Sequence, residues 1–194
     1  MGVLNDTMMM GASVAGGYEI EQSLRFNDDD TAYLSRTPST AGNRKTWTWS
    51  GWVKRGNIGT QSGIFSLSDG ASSFFKFIFR DDNRFEVNTA ISGVDNTHLI
   101  TTQVFRDTSS WYHVVVLFDT TQATSTDRAK IYINGSNVTA FDTSIYPSLN
   151  HEAITSTTNT HIIGNQAATS RYLDGYLAEV NFIDGLALTP DSFG

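Results

Sequence analysis

The chain has 194 residues, a formal net charge of −7 and no cysteine. Its basic residues are scattered, so it lacks the positive surface that phosphate groups need, and we expect no nucleic-acid partner. The absence of cysteine excludes disulfides, thiolate metal ligands and thiol nucleophiles.

Residues 1–22 are predicted to form an N-terminal arm that precedes a single domain over residues 23–194. Residues 8–17 are methionines, glycines and other small residues, without the basic start and leucine-rich core of an export signal. No apolar run approaches the roughly 20 residues that a membrane-spanning helix needs, so we expect no membrane insertion. Because small residues bury little surface, the arm is expected to be either flexible or docked on a partner.

The first predicted strands lie at residues 23–26 and 31–35, on either side of an acidic corner at residues 27–30. The next predicted strand, at residues 45–54, has Trp47, Trp49 and Val53 on one face. Trp52 falls on the opposite face, together with small polar residues.

Residues 111–119 carry apolar side chains at both alternating sets of positions, which predicts a strand that is buried on both sides. Residues 129–133 alternate and are followed by Asn134-Gly135, a pair that suits a tight hairpin turn, with a return strand at 137–141. Further strands are predicted at 63–68, 74–80, 84–89, 97–105, 161–164 and 175–183. The Ser- and Thr-rich stretch at 142–160 is predicted to be a loop. The sequence therefore predicts an all-β fold, an antiparallel jelly-roll β-sandwich.

Five segments of the chain together resemble the laminin G-like and pentraxin-like branch of the concanavalin A-like lectin/glucanase superfamily. They are TWTWSGWVKRG at 46–56, WYHVVVLFD at 111–119, KIYING at 130–135, HIIGN at 161–165 and GYLAEVNFIDGLALTPDSF at 175–193. The resemblance runs from about Ser23 to Phe193 and implies that most of these residues are scaffold. It is specific for the fold and much less so for function.

Three segments resemble laminin G-like domains of tailed-bacteriophage structural proteins: SLRFNDDDTAYLSRT at 23–37, WVKRG at 52–56 and FIDGLALTPDSFG at 182–194. The resemblance implies a virion location, with assembly in the host cytoplasm. It also implies a domain of a longer chain, self-association into a homo-oligomer, and an arm that attaches to other virion proteins.

Glycoside hydrolases occur in the same superfamily, and retaining ones need two carboxyl groups about 5 Å apart. The superfamily places its catalytic acids as Glu-x-Asp-x-x-Glu on one strand, and this pattern does not occur in the chain. Around Glu179 the matching position is the neutral Asn181, and Asp184 lies beyond the expected register. The four histidines are also too dispersed along the chain to form a metal-binding pair on one element. We therefore predict that the protein is not an enzyme and assign no catalytic residue.

Calcium is the cofactor that the acidic turns and the resemblance both suggest, because Ca²⁺ takes six to eight oxygen ligands. Candidate ligands are the acidic corner at 27–30 and the turn residues Asp69, Asp81, Asp82 and Asp127. Aspartate at turns is more often explained by bonds to the local backbone, so the metal ligands stay unassigned.

Carbohydrate binding requires an aromatic ring on which a sugar can stack, with polar groups around it. Trp52, Tyr146 and Tyr172 are the predicted carbohydrate-binding residues, and Phe74 is a further candidate. Each of these residues is equally suited to a place in the core.

These observations predict a non-enzymatic structural or adhesion module of a phage virion, either a tail, fibre or capsid-decoration protein, which binds host cell-surface glycan through loops. The loops expected to face a partner are 56–62, 90–96, 120–128 and 142–160. A free calcium-dependent lectin is the alternative, and a glycoside hydrolase is the least favoured of the three.

Overall fold

A computed structural model describes residues 21–70, 72–167 and 169–193, which form thirteen β-strands and two short 3₁₀ turns. The strands are β1 Leu24–Phe26, β2 Leu34–Arg36, β3 Thr46–Arg55, β4 Ser62–Ser68, β5 Phe74–Phe79, β6 Arg84–Ile91, β7 Val94–Val104, β8 Tyr112–Asp119, β9 Ala129–Ile133, β10 Ser136–Asn137, β11 Phe141–Ile145, β12 His161–Ile163 and β13 Gly175–Asp184. The 3₁₀ turns are Ser125–Asp127 and Pro190–Ser192. In this part of the chain no helix has the length and apolar character required to cross a membrane.

The strands form two antiparallel sheets that pack face to face. The six-stranded sheet has the order β1-β13-β3-β8-β9-β10, and the seven-stranded sheet has the order β11-β7-β6-β5-β4-β12-β2. The predicted all-β, antiparallel sandwich is confirmed. Of the predicted arm at 1–22, only Glu21 and Gln22 belong to the described residues.

The core between the sheets is built on the tryptophans of β3. Trp47 and Trp49 are fully buried, and Trp47 stacks on Phe118 with the ring centroids 4.9 Å apart. Phe77 of the opposite sheet meets Trp49 edge-on at 5.4 Å. Such aromatic pairs add about 0.5–1.5 kcal/mol each beyond the area they bury, so the β3 tryptophans hold the two sheets together.

The β8 strand is buried along its whole length, as its sequence predicts. One face packs into the core, and residues 185–193 cross the opposite face. Thr48 anchors this C-terminal segment, because its hydroxyl donates to the Leu186 carbonyl and accepts from the Leu188 amide, each at 2.8 Å. The Phe193 ring of the same segment lies 6.4 Å from that of His113 on β8, so the segment reaches the outer face of both strands.

Several predicted boundaries are wrong. The return strand predicted at 137–141 is the two-residue β10, Ser136–Asn137, and residues 138–140 form no strand. The predicted strand at 31–35 starts later, at Leu34, because residues 28–31 form a turn. Residues 141–145 form β11 at the edge of the seven-stranded sheet, so the long loop starts at Tyr146 and not at 142. The predicted loop at 90–96 is mostly strand, since β6 and β7 are joined through Ser92 and Gly93 alone.

Candidate carbohydrate-binding site

Trp52 lies on the outer face of the six-stranded sheet and is half-buried. Alternation along β3 places Trp49 and Val53 in the core and turns Trp52 away from it. In the β3–β8 register Trp52 is paired with His113, and the two rings stack with centroids 4.7 Å apart and planes 17° from parallel. The stack covers the buried His113 ring and holds the half-buried Trp52 indole in place on the outer face of the sheet.

A hydrogen bond positions the His113 ring, and burial sets its protonation state. Its Nε2 atom lies 2.9 Å from the Ser50 hydroxyl oxygen, and both residues are buried. Burial lowers the pKa of His113, and the Glu179 carboxylate opposes this only in part. The imidazole is therefore neutral at neutral pH and serves as an uncharged stacking partner of Trp52.

A cavity of about 420 Å³ opens beside this ring pair. Its polar lining comes from Ser50, Glu179, Asn181 and Ser192, and its apolar lining comes from Trp52, His113, Ile183, Leu188 and Phe193. Phe193 belongs to the C-terminal segment, and its ring centroid is 6.4 Å from that of His113. Carboxylate, amide and hydroxyl groups around an aromatic face are the combination that a sugar ring requires.

The position of Glu179 at this cavity depends on an irregularity in β13. The pairing of β13 with β3 shifts between Ala178 and Asn181, and Glu179 has a positive φ of 50°. A non-glycine residue in this conformation is strained, and β-bulges often redirect a side chain at a functional site. The bulge thus brings a carboxylate to the cavity beside Trp52.

A second aromatic pair lies on the same outer face. Trp111 and Tyr176 meet edge-on with centroids 6.4 Å apart, and Tyr176 is paired across the strands with Lys54. The Arg25 guanidinium lies 5.2 Å from the Tyr176 ring and forms an ion pair with Asp174 at 2.6 Å. Because Lys54 and Trp52 are on the same face of β3, the two aromatic pairs form one extended surface.

Sequence reasoning identified Trp52 but did not identify its partners. His113 lies on β8, Trp111 directly precedes β8 and Tyr176 lies on β13, and only the register of β3 with β8 and β13 brings them near Trp52. Alternation places Trp111 and His113 on one face of their segment, but it does not show which face meets Trp52.

The other predicted aromatic residues lie elsewhere. Tyr146 follows β11 and packs against the core, where burial raises its pKa. Tyr172, in the connection between β12 and β13, has its ring 6.4 Å from that of Tyr33, which is 50% exposed. Phe74, on β5, has the Lys76 ammonium 5.7 Å from its ring. Trp52, Tyr146 and Tyr172 are therefore in three separate environments.

The acidic turns bind local partners. Asp28 accepts a hydrogen bond from the Asn57 amide at 3.2 Å, and Asp30 accepts one from Asn27 at 2.8 Å. Asp82 is held by arginines, with Arg84 Nη2 at 2.7 Å. Over residues 21–70, 72–167 and 169–193, no group of three or more His, Asp or Glu side chains is arranged so that it could hold a metal ion.

The described glutamates downstream of β1 lie far apart in the fold. Glu86, on β6, is buried among Lys76, Arg80 and His98. Glu152, in the loop after β11, pairs with Arg44 near the surface. Glu179, on β13 of the other sheet, is the carboxylate at the Trp52 cavity. Each of the three has its own environment and its own partners.

Residues 27–192 match a laminin G family described as the concanavalin A-like lectin/glucanases superfamily. The chain belongs to this superfamily. The match covers nearly all of the predicted domain, including the strands that carry the Trp52 site, so the site lies within the lectin-like fold. A comparison with curated proteins gives no match.

Solved structures of this superfamily's fold resemble the chain throughout. Domains LG4-5 of mouse laminin alpha1 superpose with a TM-score of 0.62 and 11% identity, covering 90% of this chain and 44% of that one. A heptameric SAP-like pentraxin from Limulus polyphemus superposes with a TM-score of 0.56 and 17% identity, covering 81% of this chain and 71% of that one. The CBM40 of Ruminococcus gnavus IT-sialidase superposes with a TM-score of 0.57 and 11% identity, covering 88% of this chain and 95% of that one. At these identities the similarity shows the shared fold alone, and the chain spans less than half of the laminin structure.

Proposed function

We propose that this protein is a non-enzymatic recognition module of a bacteriophage virion and that it binds host cell-surface glycan through the Trp52 site. The observation that carries the proposal is the Trp52–His113 stack beside a cavity lined with polar groups. The Trp52 indole, held by its stack on the buried His113, accepts the apolar face of a sugar. Glu179, Asn181 and Ser50 are placed to bind its hydroxyl groups.

The family and the fold support carbohydrate binding. The superfamily is named for lectins and glucanases, and the Ruminococcus gnavus CBM40 has been solved with bound α2,3-sialyllactose. The Trp52 site would use an aromatic surface on a sheet, flanked by Arg25 and Lys54. A rigid sheet holds such a surface in position better than loops do.

The virion setting is supported by the resemblance of residues 23–37 and 182–194 to domains of tailed-phage structural proteins. In that setting the N-terminal arm attaches the domain to a neighbouring virion protein, and the domain self-associates. A pentraxin of related fold from Limulus polyphemus is heptameric, so this type of sandwich is compatible with oligomeric assembly.

A glycan array compares the wild-type chain with Trp52→Ala and with the control Tyr132→Ala. Tyr132 lies on β9 of the same sheet and is half-buried, but it does not line the cavity. We expect Trp52→Ala to weaken binding at least about tenfold, because 1.4 kcal/mol of lost stacking changes Kd tenfold. We expect Tyr132→Ala to bind like the wild type. Equal binding by all three proteins would place the glycan elsewhere.

Mass spectrometry of intact phage particles tests the virion setting. The chain should appear among the structural proteins at a fixed copy number. Glycan binding that disappears when calcium is chelated would instead favour a free calcium-dependent lectin. Release of reducing sugar from polysaccharide would favour a hydrolase.

A further inference from the structure

The C-terminal segment, residues 185–193, closes one end of the cavity beside Trp52. It crosses β3 at the fully buried Thr48, whose hydroxyl donates to one main-chain carbonyl of the segment and accepts from one main-chain amide, each at 2.8 Å. It then reaches β8, where the Phe193 ring lies 6.4 Å from that of His113. Three residues of the segment line the cavity: Leu188, Ser192 and Phe193. The segment is therefore a wall at the Thr48 end of the cavity.

The opposite end of the cavity, towards Lys54, leads to a second pair of rings. Along β3 the lining runs from Ser50 to Trp52, and Lys54 is the next outward residue. The exposed Tyr176 pairs with Lys54, and Trp111, which directly precedes β8, meets the Tyr176 ring edge-on at 6.4 Å. The step from Trp52 to Lys54 is about 7 Å along the strand, comparable with one sugar unit. A glycan whose end occupies the cavity can therefore continue over this second ring pair.

The two ends of this surface differ in charge. Glu179 brings a carboxylate to the cavity. At the second ring pair, Arg25 and Lys54 supply two cations and Asp174 supplies one carboxylate, which pairs with Arg25 at 2.6 Å. Within the part of the chain that the structure describes, Lys54 forms no ion pair. In a chain of net charge −7 this is a local excess of positive charge, and it favours a negatively charged group.

We propose that the site binds the free end of an acidic glycan. A neutral terminal sugar enters the cavity and stacks on Trp52, and the next sugar, which bears a carboxylate, lies on Tyr176 with this group beside Lys54. The wall held by Thr48 prevents a chain from passing through the cavity, so the interior of a polysaccharide is not bound. The inference rests on the proposed glycan-binding function and adds to it the class of glycan and its direction along β3.

An array of acidic oligosaccharides, linked through their reducing ends, tests the charge preference. Each is printed beside its carboxyl-reduced form, which has the same linkages without the negative charge. The wild type should bind the acidic form about tenfold more tightly or better. Lys54→Gln should bind both forms with the affinity that the wild type has for the reduced form. The control Lys130→Gln, on β9 of the same sheet, should keep the preference.

The reduced form also reports on the fold of each variant, because its binding needs the Trp52 cavity but not the charge of Lys54. Equal binding of both forms by the wild type, or the wild-type preference in Lys54→Gln, overturns the acidic second sugar. Either result leaves glycan binding at Trp52 standing. Failure of the wild type to bind any glycan overturns the proposed function together with this inference.

A cap on the free end tests the wall. A benzylidene acetal is placed on the terminal sugar of the oligosaccharide that binds most tightly, and its affinity is compared with that of the uncapped form. We expect a loss of about tenfold or more, because the cap meets the C-terminal segment. The loss should be smaller in Thr48→Val, which lacks the hydroxyl that holds the segment, and complete in Thr48→Ser, which keeps it. Equal binding of capped and uncapped glycan by the wild type overturns recognition of the free end.

Discussion

At the scale of single residues, Gly63 of β4 lies in close contact with the connection between β12 and β13. A Cβ atom at this position would collide with the backbone of Asn165 and Gln166. The Gly63 amide also donates to the Arg171 carbonyl at 3.0 Å. Glycine is required here because the connection between β12 and β13 passes directly over β4.

We predict that Gly63→Ala destabilises the protein by about 2 kcal/mol or more and loosens the connection between β12 and β13. Hydrogen exchange should show faster exchange at the amides near Asn165 and Gln166. Gly59→Ala is the matched control, because its Cβ would meet no atom within 4 Å and adds only the cost of a positive φ of 78°. If Gly63→Ala loses no more stability than Gly59→Ala, the connection yields to the added methyl group and the collision does not explain the need for glycine.

The sequence predicts the environment of single residues well where alternation is regular. Trp47, Trp49 and Val53 are inward and Trp52 is outward, as the pattern of β3 indicates. It does not predict which residues meet across strands. Trp52 meets His113, 61 residues later in the chain, because of the register between β3 and β8, and no local signal encodes that register.

At the scale of elements, one buried carboxylate joins three neighbouring segments of the seven-stranded sheet. Glu86 of β6 is 2% exposed, with Lys76 of β5 at 2.8 Å, Arg80 at 2.6 Å and His98 of β7 at 3.3 Å. Burial tends to raise the pKa of Glu86, but the hydrogen bonds and positive charge of Lys76 and Arg80, together with His98, leave it lowered. Glu86 is therefore ionised and balances the cations on the outer face.

We predict that Glu86→Gln lowers the free energy of unfolding by about 2–4 kcal/mol, because it leaves partly buried cations without their carboxylate. Urea denaturation measures this loss. The control Glu152→Gln breaks the surface pair with Arg44 and should change stability by no more than about 1 kcal/mol. A loss in Glu86→Gln as small as that of the control would show that solvent screens the network.

The errors in element prediction have physical causes. β11 has the polar sequence FDTSI and is an edge strand that is mostly exposed, so it lacks the apolar alternation by which strands are detected. The β6–β7 turn is tight because Gly93 adopts a φ of 78°, which shortens the predicted loop to two residues. Strands such as β3 and β8, which are paired on both sides and carry core residues, were predicted to within about one residue, whereas β7 starts three residues before its predicted start.

At the scale of the whole molecule, three histidines in different parts of the fold share one property. His113 lies on the outer face of the six-stranded sheet, His161 lines a cavity of about 700 Å³ beside Phe182, and His151 lies in the long loop after β11. Burial lowers the pKa of all three. The nearby Arg36 lowers that of His161 further, and Arg44 lowers that of His151 further. The folded protein therefore keeps these imidazoles neutral at a pH where the unfolded chain already binds protons.

This difference makes stability depend on pH in a defined direction. As pH falls through about 6.5, the ordinary histidine value, the unfolded state takes up protons that the folded state does not, so the free energy of unfolding decreases. The decrease continues until the lowered pKa values of the folded protein are reached. The carboxylates with lowered pKa values, such as Asp82 at about 2, add a further loss only below about pH 4.

We predict that Tm falls by at least about 3 °C between pH 7.5 and pH 5.0, and that this fall is smaller in His113→Gln. Glutamine retains a polar group beside Ser50 but does not titrate, so the variant removes one of the three contributions. Differential scanning calorimetry across this pH range measures both slopes, and each protein's own Tm at pH 7.5 serves as its reference. A variant that loses as much Tm as the wild type would show that His113 does not contribute, and the acid sensitivity would then belong to His151 and His161.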